Sequence, residues 1–114
     1  MINLPKNPDP YDPFHKSALE THAQLNGAGL DVEVIPEPVE RRVKSIDFVA
    51  SYANYYACNG AIIAAQFGDS ETDKVAQDTL QKHYPDREIV TLNVDHLGEL
   101  GGGIHCATQQ MPAA

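Results

Sequence analysis

Basic residues are scarce in this sequence. Lys and Arg together number 8 against 16 Asp and Glu, a net charge of −8 at neutral pH. No nucleic-acid partner is expected, because phosphate backbones are held by clustered cations. Arg41, Arg42 and Lys44 form the one basic cluster, too short to offset the acidic excess. The excess reads as a solubility charge, although an acidic surface also attracts cationic small molecules. Cysteine is nearly absent: Cys58 and Cys106 stand far apart. Two such residues make no disulfide framework and are expected as free thiols in a reducing cytoplasm. Long apolar runs are missing as well, and Met1 to Lys6 lack the apolar core of a secretion signal, so no membrane association is expected. Metal-ligand spacing is absent among the cysteines and histidines, and the glycine run Gly101 to Gly103 lacks the Lys-Ser/Thr that completes a phosphate loop. Neither metal nor cofactor is expected.

What is present is the composition of a folded domain. Hydrophobic residues make up 42% and charged residues 21% of the 114, values that disordered chains do not reach. The length suits one small domain. Pro5, Pro8, Pro10 and Pro13 make residues 1–13 an extended arm, since proline is excluded from helix interiors and central strands. From there the pattern is helical: Asp12 caps, Pro13 suits the first turn, Phe14, Ala18, Leu19, His22 and Leu25 keep to one face, and Asn26-Gly27 stops the run. Residues 31–35 alternate as a strand. Asn59-Gly60 between Tyr52–Cys58 and Ala61–Phe67 predicts a hairpin, its second strand apolar on both faces and so covered twice. Ser70 with Asp73 predicts a capping box, and Val75, Ala76, Thr79, Leu80 and His83 form the stripe of a second helix ending near Pro85. Residues 88–94 read as a strand, 95–100 as a turn or short helix, and a short strand is expected after the glycines. The class is α/β, with a mixed sheet containing an antiparallel hairpin.

The chain's end carries the chemical signal. Gly101-Gly102-Gly103-Ile104-His105-Cys106 places three costly glycines just ahead of a thiol, so the backbone needs a tight turn or a close approach there. Taken with Ser51 to Tyr56, Asn59-Gly60, Gln66 to Asp69, the stretch through Gln110 and Pro112, and upstream Asp9 to Pro13 and Val34 to Pro36, this resembles the carboxy-terminal part of agmatine deiminases and the related Porphyromonas-type peptidyl-arginine deiminases. The resemblance implies a partial pentein: the last one to two ββαβ-type repeats of a five-repeat α/β propeller, one domain over residues 14–114. Two departures stand out. Such enzymes usually carry an asparagine between the third glycine and the isoleucine, and here Gly103 runs directly into Ile104; Ala107 stands where a larger aliphatic residue is usual.

The resemblance further implies the role of Cys106 as a nucleophile toward a guanidino carbon, agmatine or peptidyl arginine being the substrate class. Gly101, Gly102 and Gly103 would shape the substrate loop, with Asn54 and His105 as candidate supports. Attack on a resonance-stabilised guanidinium needs carboxylates to grip its N–H edges and a histidine to protonate departing ammonia and activate water. In the family those groups come from earlier in the sequence, and their motifs are not found here. His105 is not expected to replace them, because neighbours in an extended segment point to opposite sides; His83 and His96 carry no supporting pattern. The alternative is a non-catalytic partial domain that buries its open strand edges against another copy or a partner. A homo-oligomer, a dimer, is expected on that ground.

Overall fold

The computed structural model describes residues 1–5, 7–45 and 48–113; Lys6 of the arm, Ile46, Asp47 and the terminal Ala114 lie outside the described residues. Two sheets organise it. The first joins β1 (Ile2–Asn3) to β2 (Val34–Ile35) in parallel, with α1 (Pro13–Gly27) between them in sequence. The arm therefore starts as a two-residue edge strand. The alternating stretch 31–35 is a strand only at its last two residues, because β1 offers it no longer partner. Ile2 N–H donates to Glu33 O and Leu4 N–H to Ile35 O, at 2.9 and 3.0 Å.

α1 starts as its sequence requires. Asp12 accepts from the N–H of Phe14 (2.8 Å) and His15 (3.4 Å), and Pro13 occupies the first turn. Its inner face differs from the expected stripe. His15, Ala18, His22 and Leu25 are half-buried, whereas Phe14 is 81% exposed and Leu19 also points outward. Phe14 and Leu19 flank the 3-4-3 spacing of the inner set rather than sharing it.

The second sheet is the ββαβ unit, with strand order β3 (Tyr56–Cys58), β4 (Ala61–Gln66), β5 (Glu88–Asn93) and α2 (Ser70–His83) joining the last two. β3 and β4 are antiparallel, with Cys58 opposite Ala61; β4 and β5 are parallel, in register from Ala61↔Glu88 to Gln66↔Asn93. The tight turn falls at Asn59-Gly60, but only Gly60 has positive φ (+78°), so it is not the I′ form that needs both central residues left-handed. The strand before it is shorter than expected: Tyr52 to Tyr55 form a turn and loop, and pairing begins at Tyr56.

β4 is covered on both faces, and this places the core. Ile62 and Ala64 pack with Leu80 and Ile89, while Ala65 packs with Ile35, Phe48, Tyr52, Phe67, Ala76 and Ile104. Tyr52 and Leu80 are among the most deeply buried side chains. Tyr52 keeps its hydroxyl satisfied by donating to Asp73 Oδ1 at 2.6 Å, with Thr72 Oγ1 2.9 Å away. Burial, and then Asp73, push that phenol well above its ordinary pKa.

The cap of α2 is Asp69, not Ser70. Asp69 Oδ1 accepts from Glu71 and Thr72 N–H, both at 3.2 Å, while Asp73 turns back to accept from Phe67 and Gly68 N–H at 2.9 and 3.1 Å. The longer-reaching pair of carboxylates thus takes the donors that a Ser70 capping box would have shared. Among the described residues no helix is long and apolar enough to cross a membrane.

Candidate active site

After β5, Asn93 Oδ1 accepts from Asp95 N–H (3.1 Å) and starts α3 (Asp95–Glu99), a single turn. Asp95 is locked to Arg42: Nε reaches Oδ2 at 2.8 Å and Nη2 reaches Oδ1 at 3.2 Å. The same guanidinium donates to Gln66 O at 2.7 Å and Gln66 Oε1 at 3.1 Å, so Arg42 fixes α3 to the end of β4. The basic cluster noted in the sequence thus spends one member inside the fold. Sequence reading missed this tie, since nothing local links residue 42 to 95.

Glycines then bend the chain. Gly101 takes φ +85°, its N–H returning to Gly98 O, and Gly102 N–H returns to Leu97 O. Gly103 and Ile104 are buried, Ile104 in the cluster with Tyr52 and Phe67. The strand expected next is instead a 3₁₀ turn over His105–Ala107. Two of its N–H groups are held locally: Ala107 N–H bonds Gly103 O and Ile104 O, and His105 N–H donates to Asn54 Oδ1 at 2.9 Å.

That turn presents Cys106 to solvent. Asn54 Nδ2 donates to its Sγ at 3.4 Å. The thiol's pKa is held below its ordinary value, first by this amide and then by the Gly103 backbone, with no charged side chain among the causes. Gly103 is crowded at the same spot, whereas Gly102 has room for ordinary contact. A Cβ on Gly102 would sit 3.9 Å from Cys106 Sγ, and one on Gly103 would lie 2.5 Å from Asn54 Nδ2. Gly103 is required by the close approach, whereas Gly101 is required by its dihedral.

The thiol opens on a recess of about 330 Å³, lined by Leu97, Leu100, Gly101, Gly102, Gly103, Cys106 and Ala107. Its described lining holds a nucleophile and apolar walls, with neither a carboxylate nor a histidine. His105 neighbours Cys106 in sequence, but its ring faces Gln110, Nε2 to Nε2 at 3.3 Å. The expectation that His105 and Cys106 diverge rested on an extended segment; here successive side chains of the 3₁₀ turn separate them, at three residues per turn. His83 faces Glu33 (3.4 Å) and His96 faces Glu99 (3.7 Å). A second recess, about 290 Å³ and bordered by Asp31, Glu33, Tyr55, His83 and Tyr84, contains no nucleophile. Cys58 is half-buried in β3, a free thiol donating to Ala61 O at 3.4 Å.

Comparison with known proteins bears on this geometry. A protein of Latilactobacillus sakei is 41% identical over 98 residues, which cover 86% of this chain and 25% of that protein. The agmatine deiminase of Medicago truncatula is 47% identical over 73 residues, 63% of this chain and 20% of the enzyme. Among solved structures, the agmatine deiminase of Enterococcus faecalis superposes with a TM-score of 0.77 at 26% identity, over 96% of this chain and 36% of that one. The C. jejuni agmatine deiminase shares the fold, with a TM-score of 0.79 at 22% identity over 94% and 33%. The chain thus spans about a quarter to a third of the length of most of these proteins. With residues 5–112 matching its sequence pattern, the chain belongs to the Porphyromonas-type peptidyl-arginine deiminase family.

Proposed function

We propose that this chain carries the nucleophilic part of a guanidino-group hydrolase, with Cys106 as the attacking thiolate and the Gly101–Gly103 loop shaping the approach of the substrate. The pentein architecture of the family is the frame for this reading. The observation that carries it is the exposed Cys106 thiol, hydrogen-bonded from Asn54, at the mouth of an apolar recess. The recess suits the methylene chain of an alkyl guanidinium such as agmatine, whose cationic head would come to the sulfur and favour its thiolate.

The chemistry is a two-step hydrolysis. Sulfur attacks the guanidinium carbon, an S–C bond forms, and a C–N bond breaks as ammonia leaves with a proton from a general acid. Water, deprotonated by the same group, then attacks the amidino-thioether. The C–S bond breaks, the thiolate returns, and a ureido product departs. The described recess supplies the thiol alone. The histidine and the carboxylates that grip the N–H edges must come from other polypeptide, whether further chain, a partner or another copy.

The thiol is testable directly. Cys106 is expected to react with iodoacetamide several-fold faster than Cys58 at neutral pH, with an inflection below that of an ordinary thiol. Labelling like that of an unperturbed thiol, or none, overturns the reading. Ammonia release from agmatine against peptidyl arginine, with Cys106→Ser as control, then assigns the substrate.

A second reading has its own observation. The described surface keeps large apolar side chains open: Leu100 is 85% exposed, and Phe14 and Met111 are exposed too. β3 and β5 are both outer strands of their sheet. Such edges and apolar surface invite pairing, so a non-catalytic domain that self-associates as a dimer accounts for them. Light scattering at micromolar concentration is expected to give twice the chain mass. A monomer there removes this reading.

A further inference from the structure

We propose that the Asn54 side-chain amide is a positioning residue for the Cys106 nucleophile: its oxygen latches the cysteine turn through the His105 N–H, and its NH₂ group donates to the sulfur. This rests on the reading of Cys106 as the nucleophile and adds the residue that holds it ready.

The orientation of the amide follows from chemistry. A backbone N–H can only donate, so the atom facing His105 N at 2.9 Å must be Oδ1. That leaves Nδ2, which can only donate, facing Cys106 Sγ at 3.4 Å. A thiolate accepts such a bond far better than a neutral thiol does, so the contact selects the ionised form. A residue serving only to tie the turn down would need the first bond and not the second.

The surroundings fix this amide in place. Asn54 N–H donates to Ser51 O at 3.3 Å, and two residues earlier Tyr52 is anchored in the core through Asp73 and Thr72. On the other side the bare Cα of Gly103 packs against the amide, where a Cβ would come within 2.6 Å of Asn54 Cγ. Other charges nearby are committed elsewhere. On α3, Asp95 is paired with Arg42, and His96 lies 3.7 Å from Glu99. On the cysteine turn, the His105 ring faces Gln110.

The test uses a Cys58→Ser parent, in which Cys106 is the one remaining thiol, and follows thiolate formation by ultraviolet absorbance with alkylation rate at neutral pH as a second readout. Asn54→Ala is expected to move the inflection to higher pH and slow alkylation several-fold. Asn54→Asp keeps an acceptor for the His105 N–H but puts an anionic oxygen where the donor stood, so it is expected to move the inflection further still. Far-UV circular dichroism matching the parent confirms that the variants fold. An unmoved titration in Asn54→Ala overturns the proposal, and so does a return to the parent value in Asn54→Asp, which would leave only the latch. A depressed parent titration in either case keeps the nucleophile reading intact; an ordinary parent titration unmoved by both variants removes the two together.

Discussion

Replacing Gly98 by alanine is expected to destabilise the fold, against what helix propensity alone would say. Gly98 lies in α3 with a helical, unstrained backbone, and there alanine is favoured over glycine by about 1 kcal/mol. The added methyl, however, would sit 2.3 Å from Phe48 Cε2 and 2.6 Å from Cζ. That ring is rigid and buried, edge-on to Phe67 with centroids 6.0 Å apart. Relief requires either the Phe48 ring to leave Phe67 or α3 to lift away, and α3 is held by Arg42 and by the bond from Val49 N–H to Gly98 O. Overpacking of this kind costs about 1–3 kcal/mol, which outweighs the propensity gain. The expected result is a Tm lowered by about 5–10 °C. Gly27→Ala is the control: it too has an unstrained backbone and meets nothing within 4 Å, so its Tm is expected unchanged or slightly raised. A Gly98→Ala protein as stable as wild type would show that the Phe48 contact is soft.

Gly98 also marks where the sequence stops being readable. In a linear reading it is one more glycine in a glycine-rich tail. Its reason is an aromatic ring fifty residues earlier. What could be read was local or periodic. The apolar run of β4 announced cover on both faces, and Ile62 with Ala64 and Ala65 with Phe67 divide between the two clusters accordingly. Asp12-Pro13 fixed the start of α1 through short-range capping. The errors came where a local signal had a competitor, near or far in sequence. Ser70 looked like a cap, but Asp69 and Asp73 hold more donors between them. A short strand is expected after the glycines, yet Asn54 takes the His105 N–H and Gly103 with Ile104 takes the Ala107 N–H, closing a 3₁₀ turn there instead.

The candidate site divides in the same way. Cys106 and its glycines were legible because adjacent residues carry both the chemistry and the backbone demand. Asn54 was legible only as a member of a resembling motif; its contact with the sulfur spans 52 residues of sequence and depends on β3, Tyr52 and the buried Ile104 all being in place. The Arg42–Asp95 pair had no sequence signal. Its worth is geometric, because the bidentate grip holds the first residue of α3, the helix that leads into the glycine loop.

Asp69→Asn is expected to weaken the fold above pH 4 and to converge on wild type as the pH falls toward 2. Asp69 is 92% buried and accepts four backbone N–H groups, two from the start of α2 and two, Val39 at 2.9 Å and Glu40 at 3.0 Å, from a segment thirty residues away. Those bonds, the one from Glu40 first, lower its pKa from 3.8 to about 2. The sign follows directly. A carboxyl whose folded pKa is depressed stabilises the native state fully above its unfolded pKa, near 4, and loses that contribution as pH falls through the folded value near 2. The shift corresponds to about 2 kcal/mol. Asparagine has one acceptor oxygen, so either the helix cap or the Val39–Glu40 pair must face an NH₂ donor at every pH. The gap in Tm between wild type and Asp69→Asn is therefore expected to be about 10 °C at neutral pH. Most of it should close between pH 4 and pH 2, as the wild-type carboxyl takes up its proton. A gap that stays constant across that range would mean that Asp69 acts through packing alone. An absent gap would mean that water satisfies the pair of donors the amide gives up, and the tie between the start of α2 and the Val39–Glu40 segment would then add nothing to the stability of the fold.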